Sequence, residues 1–360
     1  MLQRTFLWIQ RYERHLSAFS MVAGFTADTL LFGRIDLWQT HLVFISYAVI
    51  CFITIPLLHF LETTRPAGSA GRVRLLLPLA IQFALGGFWS GFVIFYGRSA
   101  DIGASWPFLI FLGLVLLGSE YFNEYHDRLV FTSVLFFFAL YSYAIFAVPI
   151  YTLTIGTPTF LLSGAIAIGV FSLFTMLLRV LARKRFLVAV WRIRVGALMV
   201  LALMNIFYFT NLLPPLPLSA EEAGVYHSVV RAPSAYLATT EAESWQVRFL
   251  GLTPTLHVAL GESLSAYTSL FAPTTLTVTV QHLWEWYDPV KKEWAVKAAI
   301  VYPIVGGRDG GYRGYSTVFI SESGEWRVSI ETADGRRITR LPFIVERVAL
   351  PPSVETITLK

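Results

Sequence analysis

Two hydrophobic patterns divide the chain near residue 213. Before that point, apolar residues form long runs of about 20 residues, which is the length an α-helix needs to cross roughly 30 Å of membrane hydrocarbon. A proline-rich stretch at 214–224 predicts a short, stiff linker after the last run. The runs predict a domain of seven transmembrane helices over residues 1–213, at about 16–34, 39–61, 74–97, 104–122, 129–150, 157–180 and 195–213.

From about residue 225 the pattern changes to short alternating segments, which is the period of β-strands. In TLTVTVQHLWEW, the residues at every second position from Leu276 to Trp286 fall on one face. Turn-forming sequences separate the segments, including the Asp334-Gly335 hairpin signal. Strands in succession without a helical pattern between them predict an all-β antiparallel sandwich over 225–360. The expected fold is therefore an all-α membrane bundle followed by a C-terminal β-sandwich.

The composition agrees with a membrane protein, since 55% of the residues are hydrophobic and the mean hydropathy is +0.60. The formal net charge of +5 would also suit nucleic-acid binding. However, residues 1–213 carry 15 Lys and Arg against 8 Asp and Glu, whereas residues 214–360 carry 13 against 15. The basic excess lies in the membrane half, where it serves as a topology signal, and nucleic acid is not an expected partner.

Loop arginines predict the orientation of the chain. When the predicted loops are assigned alternately to the two sides, one side receives 13 basic residues and the other only Arg34 and Arg98. Cytoplasmic loops carry the excess of Lys and Arg. We therefore expect a bacterial inner-membrane protein with its N-terminus in the cytoplasm. With an odd number of spans, the β domain is expected to be periplasmic or extracellular.

The segment Arg179–Arg194, RVLARKRFLVAVWRIR, interleaves six positive charges with apolar residues. This pattern predicts a short interfacial helix that lies on anionic lipid. A docking site for a cytoplasmic partner is the alternative interpretation.

A few polar residues lie within or beside the predicted spans, where they are costly and become functional candidates. Asp28 could pair with a nearby arginine or form an ion or proton site. Further along, Glu120 and Glu124 share a helix face and His126 follows within a turn, so they could ligate a metal or carry protons. The same residues could form a solvated helix end in which Glu124 pairs with Arg128. No second cluster of this kind occurs in the spans, and neither a metal nor a cofactor is expected.

The third predicted span contains FALGGFWSG, in which small residues recur at four-residue spacing. Gly86, Gly87, Ser90 and Gly91 form the small-xxx-small pairs that allow helices to approach closely. We expect them to serve packing inside the bundle, with oligomer contact as the alternative.

Histidines and tryptophans are the main candidates for chemistry in the β domain. His282 shares a strand face with apolar neighbours, which predicts a buried histidine with one hydrogen-bond partner; a ligand or base role is the alternative. His227 and His257 are too far apart in sequence to imply a shared site. The tryptophans could form a sugar-stacking platform, but alternation predicts inward, core-filling positions for four of them. These four are Trp284, Trp286, Trp294 and Trp326.

The glycine-rich stretch GGRDGGYRGYS, residues 306–316, resembles a phosphate-binding loop in composition. Phosphate loops require a helix N-terminus behind them, and no helical pattern follows. We expect a hairpin connection, with Arg308, Tyr312 and Arg313 as candidate contacts for an anion or a carbohydrate. The chain contains no GxSxG, HExxH or P-loop pattern, so no catalytic role is predicted for this domain.

The segments HLWEW, YRGYS, GEWRV, ADGR and PFIV occur in this order between His282 and Val345. In order and spacing they resemble a bacterial family, domain of unknown function twenty-nine-fourteen, over about residues 250–346. The resemblance implies a short all-β module, found behind membrane spans in envelope proteins and without assigned chemistry. The insertion GGRDGG departs from the family pattern. Structural roles are implied for the motif residues His282, Trp284, Ser316, Trp326, Asp334 and Gly335.

The sequence thus predicts a non-catalytic membrane protein that displays a β domain outside the cytoplasm. That domain would bind an envelope component, either a protein or a glycan, or the chain would be a subunit of a membrane complex. The alternative is a small transporter or intramembrane enzyme that uses Asp28, Glu120, Glu124 and His126.

Overall fold

The computed structural model describes most of the chain and divides it into two compact units, Met1–Gly97 with Trp106–Leu213 and Arg98–Ser105 with Pro214–Lys360. The described part of the first unit is helical, and the strands of the β-sheets all lie in the Pro214–Lys360 part of the second. The described residues are 37–64, 71–99, 102–121, 128–215, 217–233, 235–242, 253–273, 276–305 and 311–359.

The helices of the first unit follow the apolar runs of the sequence. Five of the six described helices, all except the third, are long and apolar enough to cross a membrane. The first predicted span, at 16–34, lies outside the described residues, so the total of seven spans stays a prediction. The helices are α1 (Trp38–Thr64), α2 (Gly71–Ser99), α3 (Ile102–Tyr121), α4 (Arg128–Thr152), α5 (Thr157–Leu181) and α6 (Arg183–Phe209).

Aromatic rings fill the contacts between α1, α2 and α4. The Phe44 ring stacks on Phe92 with centroids 5.5 Å apart, and it meets Phe146 edge-on at 5.3 Å. Gly87 allows α1 and α2 to approach closely, because a Cβ at this position would lie 2.4 Å from the ring of Tyr47. The expected packing role of this small-residue segment inside the bundle is therefore confirmed for Gly87.

The basic segment Arg179–Arg194 does not form the short separate helix that the sequence predicted. The helical conformation is interrupted once, at Ala182, and α6 then continues without interruption to Phe209. Arg and Lys are good helix formers. Phe186, Ala189 and Ile193 are buried on one face, which keeps the basic turns in register with the apolar part of the helix. The last apolar helix therefore begins twelve residues before the predicted boundary at 195.

The second unit contains eleven described strands, and the five predicted from residue 276 onward correspond to β6–β10. The linker predicted at 214–224 is partly wrong, since the first strand already begins at Ser219. The strands are β1 (Ser219–Tyr226), β2 (Ser228–Arg231), β3 (Tyr236–Thr240), β4 (Thr255–Ala259), β5 (Ser263–Phe271), β6 (Thr277–Asp288), β7 (Glu293–Val305), β8 (Tyr312–Phe319), β9 (Gly324–Thr332), β10 (Arg337–Val348) and β11 (Glu355–Leu359).

These strands form three sheets rather than the two of a simple sandwich. The middle sheet has the order β1-β5-β8, the large sheet β4-β10-β9-β6-β7, and the small sheet β11-β3-β2. The prediction of a purely antiparallel fold is also wrong, because β4 pairs in parallel with β10 while the other pairs are antiparallel.

The middle sheet is covered on both faces. Thr268 of β5 reaches His282 of the large sheet, whereas the preceding residue, Tyr267, packs against Val229 and Ala238 of the small sheet. Seven consecutive residues of β5, Leu264–Leu270, are buried as a result. A strand covered on both faces shows no alternation of burial, which explains why β5 carries only small and hydroxylated residues at its polar positions.

Candidate functional site

A buried hydrogen-bond network joins the large and middle sheets around His282. Its Nδ1 lies 2.8 Å from Ser316 Oγ on β8, and its Nε2 lies 3.0 Å from Thr268 Oγ1 and 2.8 Å from the hydroxyl of Tyr302. Trp284 Nε1 donates to the same Ser316 oxygen at 3.0 Å. His282 and Trp284 are fully buried. The network therefore links β5 and β8 of the middle sheet to β6 and β7 of the large sheet through side chains alone.

The donors and acceptors of this network fit a neutral imidazole. An indole N–H can only donate, so Ser316 Oγ accepts from Trp284. A neutral imidazole has one N–H and one acceptor nitrogen, and the hydroxyl groups of Ser316, Thr268 and Tyr302 can each donate or accept, so either tautomer satisfies the network. Burial lowers the pKa of His282 to about 4, which keeps the ring neutral at physiological pH.

The Ser316–His282 pair resembles a nucleophile and its base, but it lies in the interior between two sheets. His282 is 0% exposed and Ser316 is 4% exposed, so a substrate has no route to either side chain. The predicted buried role of His282 is confirmed, with three hydrogen-bond partners rather than one. A base or ligand role has no support from this geometry.

The inward positions predicted for the four tryptophans are confirmed for two of them. Trp284 and Trp326 are buried, whereas Trp286 and Trp294 are only half-buried. For Trp294 the cause is a β-bulge at Lys297, where the register of β7 shifts against the step from Trp284 to Glu285.

A second cluster, which the sequence did not reveal, forms around Glu241 at the end of β3. The carboxylate accepts hydrogen bonds from His227 Nε2 at 2.9 Å, from His257 Nδ1 at 2.6 Å and from the His257 backbone N–H at 2.7 Å. The other nitrogen of His257 lies 3.6 Å from Glu346, its register partner on β10. The expectation that His227 and His257 share no site is therefore wrong.

Hydrogen bonds outweigh desolvation at Glu241. Burial alone would raise the pKa of this carboxyl, but the bonds from His257 and His227 hold the pKa below its ordinary value. Within the described ranges, no group of three or more His, Cys, Asp and Glu could hold a metal ion. The three hydrogen bonds to Glu241 act as a clamp between the β1–β2 corner, β3 and β4.

Beside this clamp, a cleft of about 470 Å³ opens between the small sheet and the middle sheet. His227 and Glu262 contribute ionisable groups to its wall, while Val229, Val354 and two prolines contribute apolar surface. Five hydroxyl groups also line it, those of Ser228, Thr239, Ser263, Ser265 and Thr317.

The candidate contacts at the start of β8 do not form one site. Tyr312 and Arg313 are consecutive strand residues and point to opposite faces of the middle sheet. Arg313 lies near Tyr267, where burial raises the tyrosine pKa to about 12 and the guanidinium partly opposes that effect. Tyr312 instead lies near Tyr302 on the other face. Arg308 is outside the described residues.

The intramembrane candidates fall largely outside the described part of the chain. Asp28, Glu124 and His126 belong to segments that the structure does not describe, and for Glu120 only its backbone position in the last turn of α3 is described. Their proposed ion or proton role stays a prediction.

The helical unit contains an ionic group that the sequence did not single out. His59, 2% exposed near the end of α1, lies 3.2 Å from Glu62 Oε2. Arg185, in the first turn of α6, pairs with Glu62 and lies 3.3 Å from His59 Nδ1. This contact ties the end of α1 to the beginning of α6.

The hairpin at Asp334-Gly335 forms as the sequence predicted. Gly335 has a φ of 77°, the left-handed conformation that favours glycine. The hydroxyl of Thr332 donates to Asp334 Oδ1 at 2.5 Å and fixes the turn between β9 and β10.

With these motif residues placed, the C-terminal strands can be compared with known families. Residues 278–345 match the family described as "Protein of unknown function (DUF2914)". The resemblance noted from the motifs is confirmed, although the match begins later than the predicted residue 250. The DUF2914 match spans β6–β10 and includes His282, Trp284 and Ser316, so the buried network lies mostly inside it. Thr268, its partner on β5, lies before the matched region.

No curated protein matches this chain. Among solved structures, an immunoglobulin-like protein from Pseudomonas aeruginosa is 14% identical, with 36% of this chain and 98% of that chain covered and a TM-score of 0.24. A β-glucosidase from Listeria innocua is 16% identical, with 32% and 16% covered and a TM-score of 0.21. The alkylpurine DNA glycosylase AlkC from Pseudomonas fluorescens is 8% identical, with 84% and 99% covered and a TM-score of 0.24. Scores at this level support no functional argument.

Proposed function

We propose that this chain is a bacterial inner-membrane protein that holds its β unit on the extracytoplasmic side, where the unit binds a component of the cell envelope without catalysing a reaction. The charge distribution of α6 carries the proposal. Its first twelve residues contain Arg183, Lys184, Arg185, Arg192 and Arg194, and the remaining fifteen contain no charged residue.

A helix of 27 residues is about 40 Å long, which is enough to cross the hydrocarbon layer. Lys and Arg mark the cytoplasmic end of such a helix. The contact of Arg185 with Glu62 supports the same side for the end of α1, which is followed in the sequence by the basic residues Arg65 and Arg72. The β unit begins at Pro214, just beyond the opposite end of α6. This reasoning does not depend on the total number of spans.

A binding role is supported by what the β unit offers to solvent. The Ser316–His282 pair is enclosed, whereas the cleft beside His227 is open and is lined by apolar surface and hydroxyl groups. Concave sites of mainly apolar surface with a few polar groups are typical of small-molecule binding.

The orientation can be tested by cysteine labelling in intact cells. Cys51 is the single cysteine of the chain, so Cys51→Ser gives a cysteine-free background. In it, Val290→Cys, at an 89% exposed position in the β6–β7 turn, should react with a membrane-impermeant maleimide once the outer membrane is opened. Lys184→Cys, in the first turn of α6, should react only after the inner membrane is lysed. The reverse pattern would refute the proposed orientation.

The binding role requires its own experiment. The tagged chain, cross-linked in cells and purified in mild detergent, should retain an envelope component that is absent when residues 214–360 are deleted. If the deletion variant retains the same component, binding does not occur through the β unit.

A further inference from the structure

The hydroxyl groups of the cleft between the small and middle sheets are arranged in pairs across strands. Ser228 and Thr239 are 2.8 Å apart across β2 and β3, and Ser265 and Thr317 are 2.8 Å apart across β5 and β8. A hydroxyl has one proton and two lone pairs. Each pair that shares one hydrogen bond therefore keeps one donor and several acceptor positions for a ligand. A ligand with neighbouring hydroxyls of its own would match this arrangement.

The charges of the cleft argue against an anionic ligand. Glu262 supplies a carboxylate, whose Oε2 is fixed by the backbone N–H of Ala259 at 2.8 Å. The Nε2 of His227 is already engaged by the Glu241 carboxylate, at 2.9 Å. No Lys or Arg occurs among the described residues that line the cleft. Among the described lining residues, a phosphate or carboxylate would meet the Glu262 carboxylate without a Lys or Arg beside it.

The remaining wall is apolar and aliphatic. Pro351, Pro352 and Val354 come from the connection between β10 and β11, and Val229 comes from β2. Sugars present C–H groups on their ring faces as well as hydroxyls on their edges, so they suit a site with an apolar wall and paired hydroxyls. The volume of about 470 Å³ lies within the range of small-molecule sites and has room for one or two sugar rings.

From this combination we propose that the cleft is a binding site for a neutral carbohydrate of one or two rings, such as the end of an envelope glycan. The site deepens the proposed function and rests on it, since it identifies the chemical class of the envelope component. Thr239 and Thr317 both line the cleft, and each belongs to one of the two hydroxyl pairs.

Saturation-transfer NMR on the full chain in lipid nanodiscs tests the site. The protein should be extracted with a polyoxyethylene detergent, because glucoside and maltoside detergents carry sugar head groups. The probes are N,N′-diacetylchitobiose, maltose and cellobiose, with glycerol 3-phosphate and butylamine as the anionic and cationic comparisons. At least one of the three sugars should bind, and neither comparison should.

Isosteric variants locate the binding. The double variant Thr239→Val, Thr317→Val removes one hydroxyl from each pair and keeps the β-branched shape, so the strands should be retained. It should weaken sugar binding at least about tenfold, the effect of losing one or two hydrogen bonds to a ligand. Thr279→Val, at an exposed position on β6 outside the cleft, is the matched control and should bind as the parent does.

The possible results separate clearly. Absence of binding by all three sugars, binding that the double variant leaves unchanged, or binding of glycerol 3-phosphate or butylamine instead would each overturn the carbohydrate site. If Val290→Cys labels from outside while the sugars fail, only this inference is lost. If Val290→Cys labels only after lysis, the proposed function is lost whatever the sugars do.

Discussion

Trp294 lies directly opposite Tyr287 across the β6–β7 pair, although simple alternation along β7 would place it opposite Asp288. The extra residue at Lys297 shifts the register by one, and a shift of one residue moves a strand side chain to the other face. Trp294 consequently leaves the core side and stacks under Arg327, whose guanidinium lies 4.0 Å from the ring centroid. The bulge therefore adds an aromatic ring to the face of the large sheet on which Arg327 lies.

Arg327 is expected to be essential for the stability of the β unit. It donates to both carboxylate oxygens of Glu285, at 2.6 and 2.8 Å, and the Glu285 side chain is only 10% exposed. Arg327→Met leaves that carboxylate desolvated and unpaired, so we expect a loss of about 3 kcal/mol in the free energy of unfolding. Urea denaturation of the chain in nanodiscs measures it. The double variant Glu285→Gln, Arg327→Met should recover much of the loss, and equal losses in the single and double variants would contradict this account.

Ser316→Ala should destabilise the interior far more than a change at the adjacent residue. The substitution removes the hydrogen-bond partner of both Trp284 Nε1 and His282 Nδ1, and each orphaned buried group costs about 1–3 kcal/mol. We expect a total near 3 kcal/mol by thermal or urea unfolding. Thr317→Ser, at an exposed position on the same strand, keeps the hydroxyl that pairs with Ser265, so it is the control and should cost under about 1 kcal/mol. Comparable losses at both positions would argue against the network.

His282 should make the β unit sensitive to acid between pH 6.5 and 4. In the unfolded chain the imidazole has its ordinary pKa of 6.5, whereas in the folded chain burial lowers the pKa to about 4. Between pH 6.5 and 4, His282 is therefore protonated in the unfolded chain but neutral in the folded chain. The free energy of unfolding decreases over this range. The total decrease is about 3 kcal/mol, and this contribution is absent above pH 6.5.

The pH prediction is checked by comparing two chains. Unfolding free energies of the parent and of His282→Gln, measured at pH 7.5 and 4.5, share the titration of every other group. The variant should be less stable at pH 7.5 but lose less on acidification. Equal acid losses in the two chains would mean that His282 takes up its proton in the folded state as readily as in the unfolded state.

Two adjacent glycines of α2 should respond differently to the same substitution. A Cβ at Gly87 would lie 2.4 Å from the buried ring of Tyr47, whereas a Cβ at Gly86 would meet nothing within 4 Å. Gly87→Ala should therefore separate α1 from α2 and cost about 1–3 kcal/mol, seen as a lower melting temperature in nanodiscs. Gly86→Ala should be neutral or slightly stabilising, because alanine favours a helix. A lower melting temperature for Gly86→Ala than for Gly87→Ala would contradict the α1–α2 contact.

The local parts of the fold could be predicted from the sequence, because strands follow from the alternation of apolar and polar residues and membrane helices follow from long apolar runs. The five strands β6–β10 and the turn at Gly335 were found in this way. The end of α6 was found as well, but its beginning was not. The charged residues predicted a separate surface helix, whereas the helix continues through Arg194 and Val195 without a break.

The long-range parts could not be predicted from local pattern. Glu241 meets His227 and His257 only because β3 and β4 belong to different sheets that end at the same corner. The parallel pairing of β4 with β10 joins residues almost ninety positions apart and has no signal in either strand. The bulge at Lys297 could not be predicted either, because the apolar and polar residues of EWAVKAAIVY are compatible with a strand both with and without an extra residue.

The position of β5 has a consequence for the order in which the β unit can form. β5 pairs on one edge with β1, which is synthesised before it, and on the other edge with β8, which begins only at Tyr312. Until β8 has been made, a nascent chain holds β5 with one edge of unpaired N–H and C=O groups, and such edges recruit strands from other chains. Completion of the unit must therefore wait for its C-terminal half, and a chain that stops before Tyr312 would present an adhesive edge instead of a folded core.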